Sequence, residues 1–176
     1  MSSIIQVHIP RQLEFALFFP ESTVSMDLNE MKEWKHPHTF TAFPYDFAFF
    51  QGGEAYQPWE DSEKYAPILL SEWKKIKTEC QTLFSERRTK QTLEPMKEGI
   101  ALFFTFIYWI HNRPVELREW NQIVDVLPIK PVNLVERLAF IIQRPALYHS
   151  FVQLSELFRE VEKHYVKSII KKSPRQ

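Results

Sequence analysis

An all-α, single-domain helical bundle of about five to seven helices with an irregular N-terminal segment is the predicted fold of this chain, and three observations predict it. Glycine is scarce: Gly52, Gly53 and Gly99 are the 3 in the sequence, whereas primed hairpin turns and bulged sheets consume residues at positive φ. The 12 prolines punctuate the chain, and proline is tolerated in a first helical turn or just past a helix end, so they are expected to mark element boundaries. Between them apolar residues recur three and four positions apart, the stripe of an amphipathic helix. At 176 residues, with 44% hydrophobic and 15% aromatic content, the chain suits one domain with a packed core.

Taken in order, residues 1–62 read as an irregular, aromatic-rich segment wrapping the core, because Pro10, Pro20, Pro37, Pro44 and Pro58 leave room only for short helices. Pro10 opens one such helix through Leu13, Ala16 and Leu17, ended by Phe19 and Pro20. Asp27 with Glu30 three residues on has the spacing of a capping box, for a turn carrying Leu28, Met31 and Trp34. A third candidate runs from Pro44 through Phe47 to Phe50, halted by Gly52 and Gly53. Part of the first dozen residues is left open as extended chain.

Residues 63–172 read as the helical core. From Pro67 onward Leu69, Trp73, Ile76, Cys80 and Leu83 stand at spacings of 4, 3, 4 and 3, with Lys74, Lys75, Lys77 and Glu79 on the other face. A second long helix is predicted over residues 95–111, with Ile100, Phe103, Ile107 and Ile110 in register; being apolar nearly all round, it is the expected central helix. Asn112, Arg113 and Pro114 end it. A shorter helix carries Leu117, Trp120, Val124 and Leu127 before Pro128 and Pro131. Asn133 is then expected to cap a helix bearing Leu134, Leu138, Ile141 and Ile142, stopped at Arg144 and Pro145. The last helix, over residues 147–171, aligns Phe151, Leu154, Phe158, Val161, Tyr165 and Ile169. Residues 173–176 are expected to fray.

Composition and motifs exclude several functions. The single cysteine, Cys80, permits no disulfide framework and no multi-cysteine metal site, and no signal-peptide pattern opens the chain, so a reducing cytoplasm is the expected location. The most apolar run, residues 100–110, is 11 residues long, against about 20 needed to span a bilayer. Neither phosphate-cradling motif, GxxxxGK[ST] or GxGxxG, can be written with these glycines, and GxSxG, HExxH and EF-hand loops are missing. No catalytic set and no cofactor is therefore expected.

Weaker constellations each have a bland counterpart. His36 and His38, with His8 or Cys80, compose an unrecognised metal site as one alternative, against an exposed proline-containing loop. Cys80 lies on an apolar stripe and reads as a buried thiol. His111 and His149 sit at helix ends, where imidazoles cap carbonyls. Glu60, Asp61 and Glu63 with Ser62 suit a helix N-terminus. Glu156, Glu160 and His164 have spacings that build di-metal sites on facing helices, but they lie off the apolar seam and read as a solvated acidic face.

Charge is more informative. The balance of 22 bases and 22 acids hides a division: residues 1–62 hold nine acids and three bases, net −6, and the remainder carries +6. The bases gather at Lys74, Lys75, Lys77, Arg87 and Arg88, and at Lys163, Lys167, Lys171 and Lys172 with Arg175. Lys163, Lys167 and Lys171 share a helix face and can follow a phosphate backbone, through phosphates rather than base edges. The counter-reading is that the lysines complement the helix dipole and the acidic first third folds over them.

Residues 130–163 contain Lys130-Pro131-Val132-Asn133, Glu136-Arg137-Leu138, Arg144-Pro145 and Tyr148-His149-Ser150-Phe151, with Tyr108-Trp109 and Asn112-Arg113-Pro114-Val115 upstream. This pattern resembles the YpoC-like family of small uncharacterised cytosolic proteins of Bacillus and its relatives, over roughly residues 93–165. The resemblance implies a cytoplasmic helical protein with no established activity and no catalytic residues to carry over, from genes beside replication-initiation and base-excision-repair functions. It assigns no role to Lys130, Asn133, Glu136, Arg137, Arg144, Tyr148 or His149. If Arg137, Arg144, Tyr148 and His149 gather in one pocket, a small anionic ligand is implied. The expected alternative is that they fasten helix ends and loop carbonyls, since Arg satisfies several acceptors at once.

Three functions follow as expectations. The first is a non-enzymatic protein acting through protein–protein contact, motivated by surplus aromatics at Trp34, Phe40, Phe43, Tyr45, Tyr56 and Trp59. The second is an accessory nucleic-acid-binding factor in DNA replication or repair using the basic helix faces. The third is an enzyme with an unrecognised metal site.

Overall fold

The computed structural model describes residues 3–35 and 41–173. Six α-helices dominate these residues: α1 (Pro44–Phe50), α2 (Ser62–Ser85), α3 (Leu93–Trp109), α4 (Trp120–Asp125), α5 (Leu134–Gln143) and α6 (Tyr148–Lys172). The predicted helical bundle is therefore the observed fold. One small addition is a two-stranded antiparallel sheet of β1 (Ile5–His8) and β2 (Thr23–Met26), in which Ile5 pairs with Met26 and Val7 with Val24.

The core is built around α3. Every residue from 99 to 110 is buried, as an apolar sequence with no polar face requires. On α2 the buried side is Tyr65, Ala66, Leu69, Trp73, Ile76, Cys80 and Leu83, and on α6 it includes Phe151, Leu154, Phe158, Val161 and Tyr165. These are the predicted stripes. Trp73 and Phe158 stack face to face at 4.3 Å and 10° between α2 and α6. Gly99 lets α3 approach that pair: a Cβ there would lie 2.9 Å from Trp73 Cζ3 and 3.2 Å from Leu154 Cδ2.

The first third closes the C-terminal end of α3. Trp34, Tyr45 and Trp59 surround Trp109 at ring distances of 6.3, 6.4 and 6.2 Å. Asp46, fully buried, accepts hydrogen bonds on Oδ2 from Trp109 Nε1 at 3.1 Å and from the Val115 amide at 2.7 Å. Burial pushes its carboxyl up to about 6, against the lowering by those two donors.

Four expectations need correction. The helix expected after Pro10 is a single 3-10 turn, Arg11–Leu13, because Gln12 gives its carbonyl to the amides of Leu117 and Arg118 instead of to a fourth helical residue. Asp27 caps the 3-10 turn Leu28–Lys32 through the Asn29 amide and also binds the Ser3 amide, so the capping box with Glu30 is not formed. Pro67 marks no boundary; it sits inside α2, where one lost hydrogen bond near the helix start is offset by burial of Tyr65 and Ala66. Asn133 holds the N-cap position of α5 with no side-chain cap; its φ of 57° turns the chain instead, a conformation asparagine tolerates.

Candidate nucleic-acid interface

The signature residues gather only in part. Arg137 reaches from α5 to α6: Nη1 donates to Glu160 Oε2 at 2.9 Å, Nη2 to Glu160 Oε1 at 3.0 Å, and Nε to Gln153 Oε1 at 3.0 Å. Nη1 also meets the Val132 carbonyl at 3.3 Å, and Glu156 lies 3.7 Å from Nη2. The guanidinium thus holds Glu160 below the usual carboxylate range. Glu156 and Glu160 are accordingly interhelical ion-pair partners, which corrects their reading as a merely solvated face. Asn133, Glu136, Arg137 and His149 line one open cleft between α5 and α6, while Arg144 and Tyr148 stand outside it. Ser150 Oγ donates to the Arg144 carbonyl at the α5–α6 turn, and Lys130 Nζ bonds the Asp125 carbonyl. Lys130 and the Arg144 backbone fasten helix ends, whereas Arg137 ties the body of α5 to that of α6.

The α2–α6 seam is different in character. A cleft of about 420 Å³ is lined by Trp73, Lys74 and Lys77 from α2 and by Glu156, Phe158, Arg159 and Glu162 from α6. Arg159 is one helical turn before Lys163, and Arg159, Lys163, Lys167 and Lys171 repeat every four residues along α6, all exposed. Successive cations of this row rise about 6 Å along the axis. The sequence reading missed Arg159, and its place four residues before Lys163 was the signal that could have found it. Toward the N-terminus of α6 the seam opens into a second hollow, of about 500 Å³, lined by Gln81, Phe84, Ser85, Arg87, Thr89, Tyr148 and Phe151. Gln81 and Phe151 line both hollows.

These cations are uncovered. Lys74, Lys75, Arg87, Arg88, Lys163, Lys167, Lys171 and Lys172 are exposed and Lys77 is half-buried. Lys75 pairs with Glu72 and Arg88 with Glu86; among the described residues the other seven make no ion pair. Among those same residues every ion pair joins partners on one side of the 62/63 division; Lys35 with Glu30 is the pair in the first third. Instead of covering the bases, the first third contributes Glu21 to a cavity of about 580 Å³ on the α2–α3 side, with Glu72, Glu94, Glu98 and Lys97. Burial and the neighbouring Glu79 and Glu94 push Glu98 upward there. Glu21, Glu72, Glu94 and Glu98 thus gather at a cavity that shares no lining residue with the α2–α6 cleft.

The aromatic surplus is largely consumed by packing. Phe43, Tyr45 and Trp59 are buried, Trp34 and Tyr56 are half-buried, and the Tyr56 hydroxyl bonds that of Tyr65. Phe40, His36, His38 and Arg175 lie outside the described residues. Cys80 is buried and its thiol is pushed up to about 12, chiefly by burial. His111 has both ring nitrogens engaged: Nδ1 with the Ile107 carbonyl at 2.6 Å, and Nε2 accepting from the Ile129 amide at 3.1 Å. It ties the α3 end to the following loop. Among the described residues no three His, Cys, Asp or Glu side chains converge, and no helix is long and apolar enough to cross a membrane.

No solved structure matches the chain. The uncharacterised protein YpoC of Bacillus subtilis (strain 168) is 37% identical over 111 residues, covering 62% of this chain and 68% of the relative. The family of YpoC-like proteins matches residues 63–173, the stretch from the start of α2 to the end of α6 that also carries the basic seam. By that match over most of its length, the chain belongs to the YpoC-like family.

Proposed function

We propose that this protein is a non-catalytic nucleic-acid-binding protein that takes a phosphate backbone along the α2–α6 seam. One observation carries the reading: Lys74, Lys77 and Arg159 line a single cleft, Arg159 starts the exposed four-residue row Lys163, Lys167 and Lys171, and among the described residues none of these six cations makes an ion pair. Such a row gains free energy by releasing condensed counterions from a polyanion, with no need for base-edge contacts. Glu156 and Glu162 also line that cleft, Glu156 beside the Arg137 guanidinium, while Glu21, Glu72, Glu94 and Glu98 gather at a different cavity. A role resting on the aromatics of the first third has less support, since those described are buried or half-buried.

The test is fluorescence anisotropy of a mixed-sequence labelled DNA at low salt, with the double variant Lys163→Glu/Lys167→Glu beside the native chain. Both lysines are exposed, so the variant keeps the fold. The expected result is measurable binding that weakens about tenfold or more on charge reversal. Absence of binding, or binding indifferent to the reversal, contradicts the proposal.

A second reading, contact with another protein, is supported by Leu93 at the start of α3, Phe140 within α5 and Leu147 just before α6, each 39% exposed. Apolar contact of that kind persists at high salt, whereas phosphate binding does not.

A further inference from the structure

We propose that the strand taken by the seam is single-stranded, with Tyr148 as a base-stacking platform; this rests on the basic seam being a nucleic-acid site. Tyr148 is a large aromatic ring left 58% exposed in a protein that buries most of its aromatics. Its orientation is set from below: Phe84 meets it edge-on at 5.4 Å and 72°, and Phe151 lies 6.2 Å away. A ring braced in this way loses little conformational freedom when a base stacks on it.

The surroundings suit a nucleotide. Arg87 lines the same hollow as Tyr148, held by a positive φ of 58° just past the end of α2. No side chain caps the first turn of α6, on which Tyr148 is the first residue, so that turn offers backbone amides to a phosphate. From this aromatic mouth the trough continues past Gln81 and Phe151 to Lys77, Lys74 and Arg159. An aromatic platform joined to a cationic track is the arrangement that binds a single strand without reading sequence. A duplex offers the phosphates but keeps its base faces stacked internally, so it can use the cations and not the ring.

The experiment compares three probes of equal phosphate number with the full chain: oligothymidylate, a DNA hairpin duplex and inorganic polyphosphate. The oligothymidylate is expected to bind about tenfold more tightly than polyphosphate, and Tyr148→Ala to remove that margin while leaving polyphosphate affinity unchanged. Tyr148→Phe is expected to retain it, because stacking needs the ring and not the hydroxyl. Duplex or polyphosphate binding as tightly as the single strand, or Tyr148→Ala weakening all three equally, overturns the single-strand proposal and leaves the basic seam standing. Binding of none of the three overturns both.

Discussion

Arg137 on α5 grips Glu160 on α6 through two parallel hydrogen bonds, Nη1 to Oε2 at 2.9 Å and Nη2 to Oε1 at 3.0 Å. Hydrogen bonds to charged groups contribute about 1.5–3 kcal/mol in partly buried sites. Arg137→Ala is therefore expected to cost about 2 kcal/mol in urea unfolding, and Arg137→Lys to recover little of it, because an ammonium cannot reproduce the fork. Glu160 is held below its ordinary value, so this stability is present above the unfolded carboxyl range and lost as pH falls through the lowered value. The gap between native chain and Arg137→Ala should narrow below about pH 4. A gap that widens in acid contradicts the pairing.

Asp46 behaves in the opposite sense. Its folded value, about 6, lies above the ordinary 3.8, so its contribution is greatest below 3.8 and is lost as pH rises through about 6. Asp46→Asn keeps an oxygen for Trp109 and Val115 and removes the titration. Relative to the native chain the variant is expected to gain about 2–3 kcal/mol between pH 4 and pH 8, read from unfolding curves at both. Asp46→Ala, which leaves two buried donors without an acceptor, should destabilise at every pH.

Gly99 tests the close approach of α2, α3 and α6. Alanine in a helix interior gains about 1 kcal/mol of propensity over glycine, yet its methyl would stand 2.9 Å from Trp73, itself held by stacking on Phe158. Overpacking of this kind costs about 1–3 kcal/mol, so Gly99→Ala is expected to lower the thermal midpoint. A raised midpoint would show that the three helices have slack.

Cys80 should resist alkylation in the native state, being buried with its thiol pushed up to about 12. Mass spectrometry after iodoacetamide should show labelling only in denaturant. Labelling of the folded chain at neutral pH contradicts the burial.

Much of this arrangement was legible in the sequence, and the limits have physical causes. The stripes of α2, α3 and α6 announce themselves because helical periodicity is written locally, four residues at a time; Leu69 to Leu83 and Phe151 to Tyr165 are buried as their spacing requires. Only part of the first dozen residues was open to an extended reading; the β1–β2 pairing went unread because each strand is four residues long and its partner lies in a separate segment. Asp46 binds groups 63 and 69 residues away, and no local pattern encodes that reach. Arg137 and Glu160 both stood in the sequence as charged residues, but their pairing depends on how α5 packs on α6. The −6 and +6 halves were visible as counts; that Glu21 meets Glu72, Glu94 and Glu98 at one cavity while Lys74, Lys77 and Arg159 meet at another came only from the helix packing.

A phosphate backbone lying along the α2–α6 seam would make the affinity for oligothymidylate fall steeply with salt. Six cations, Lys74, Lys77, Arg159, Lys163, Lys167 and Lys171, set an upper limit of about −4 for the slope of log affinity against log salt on a single strand. The expected slope is near that limit, reduced in magnitude by about 1.4 in Lys74→Glu/Lys77→Glu. A slope close to zero, or one that the double variant leaves unchanged, contradicts it.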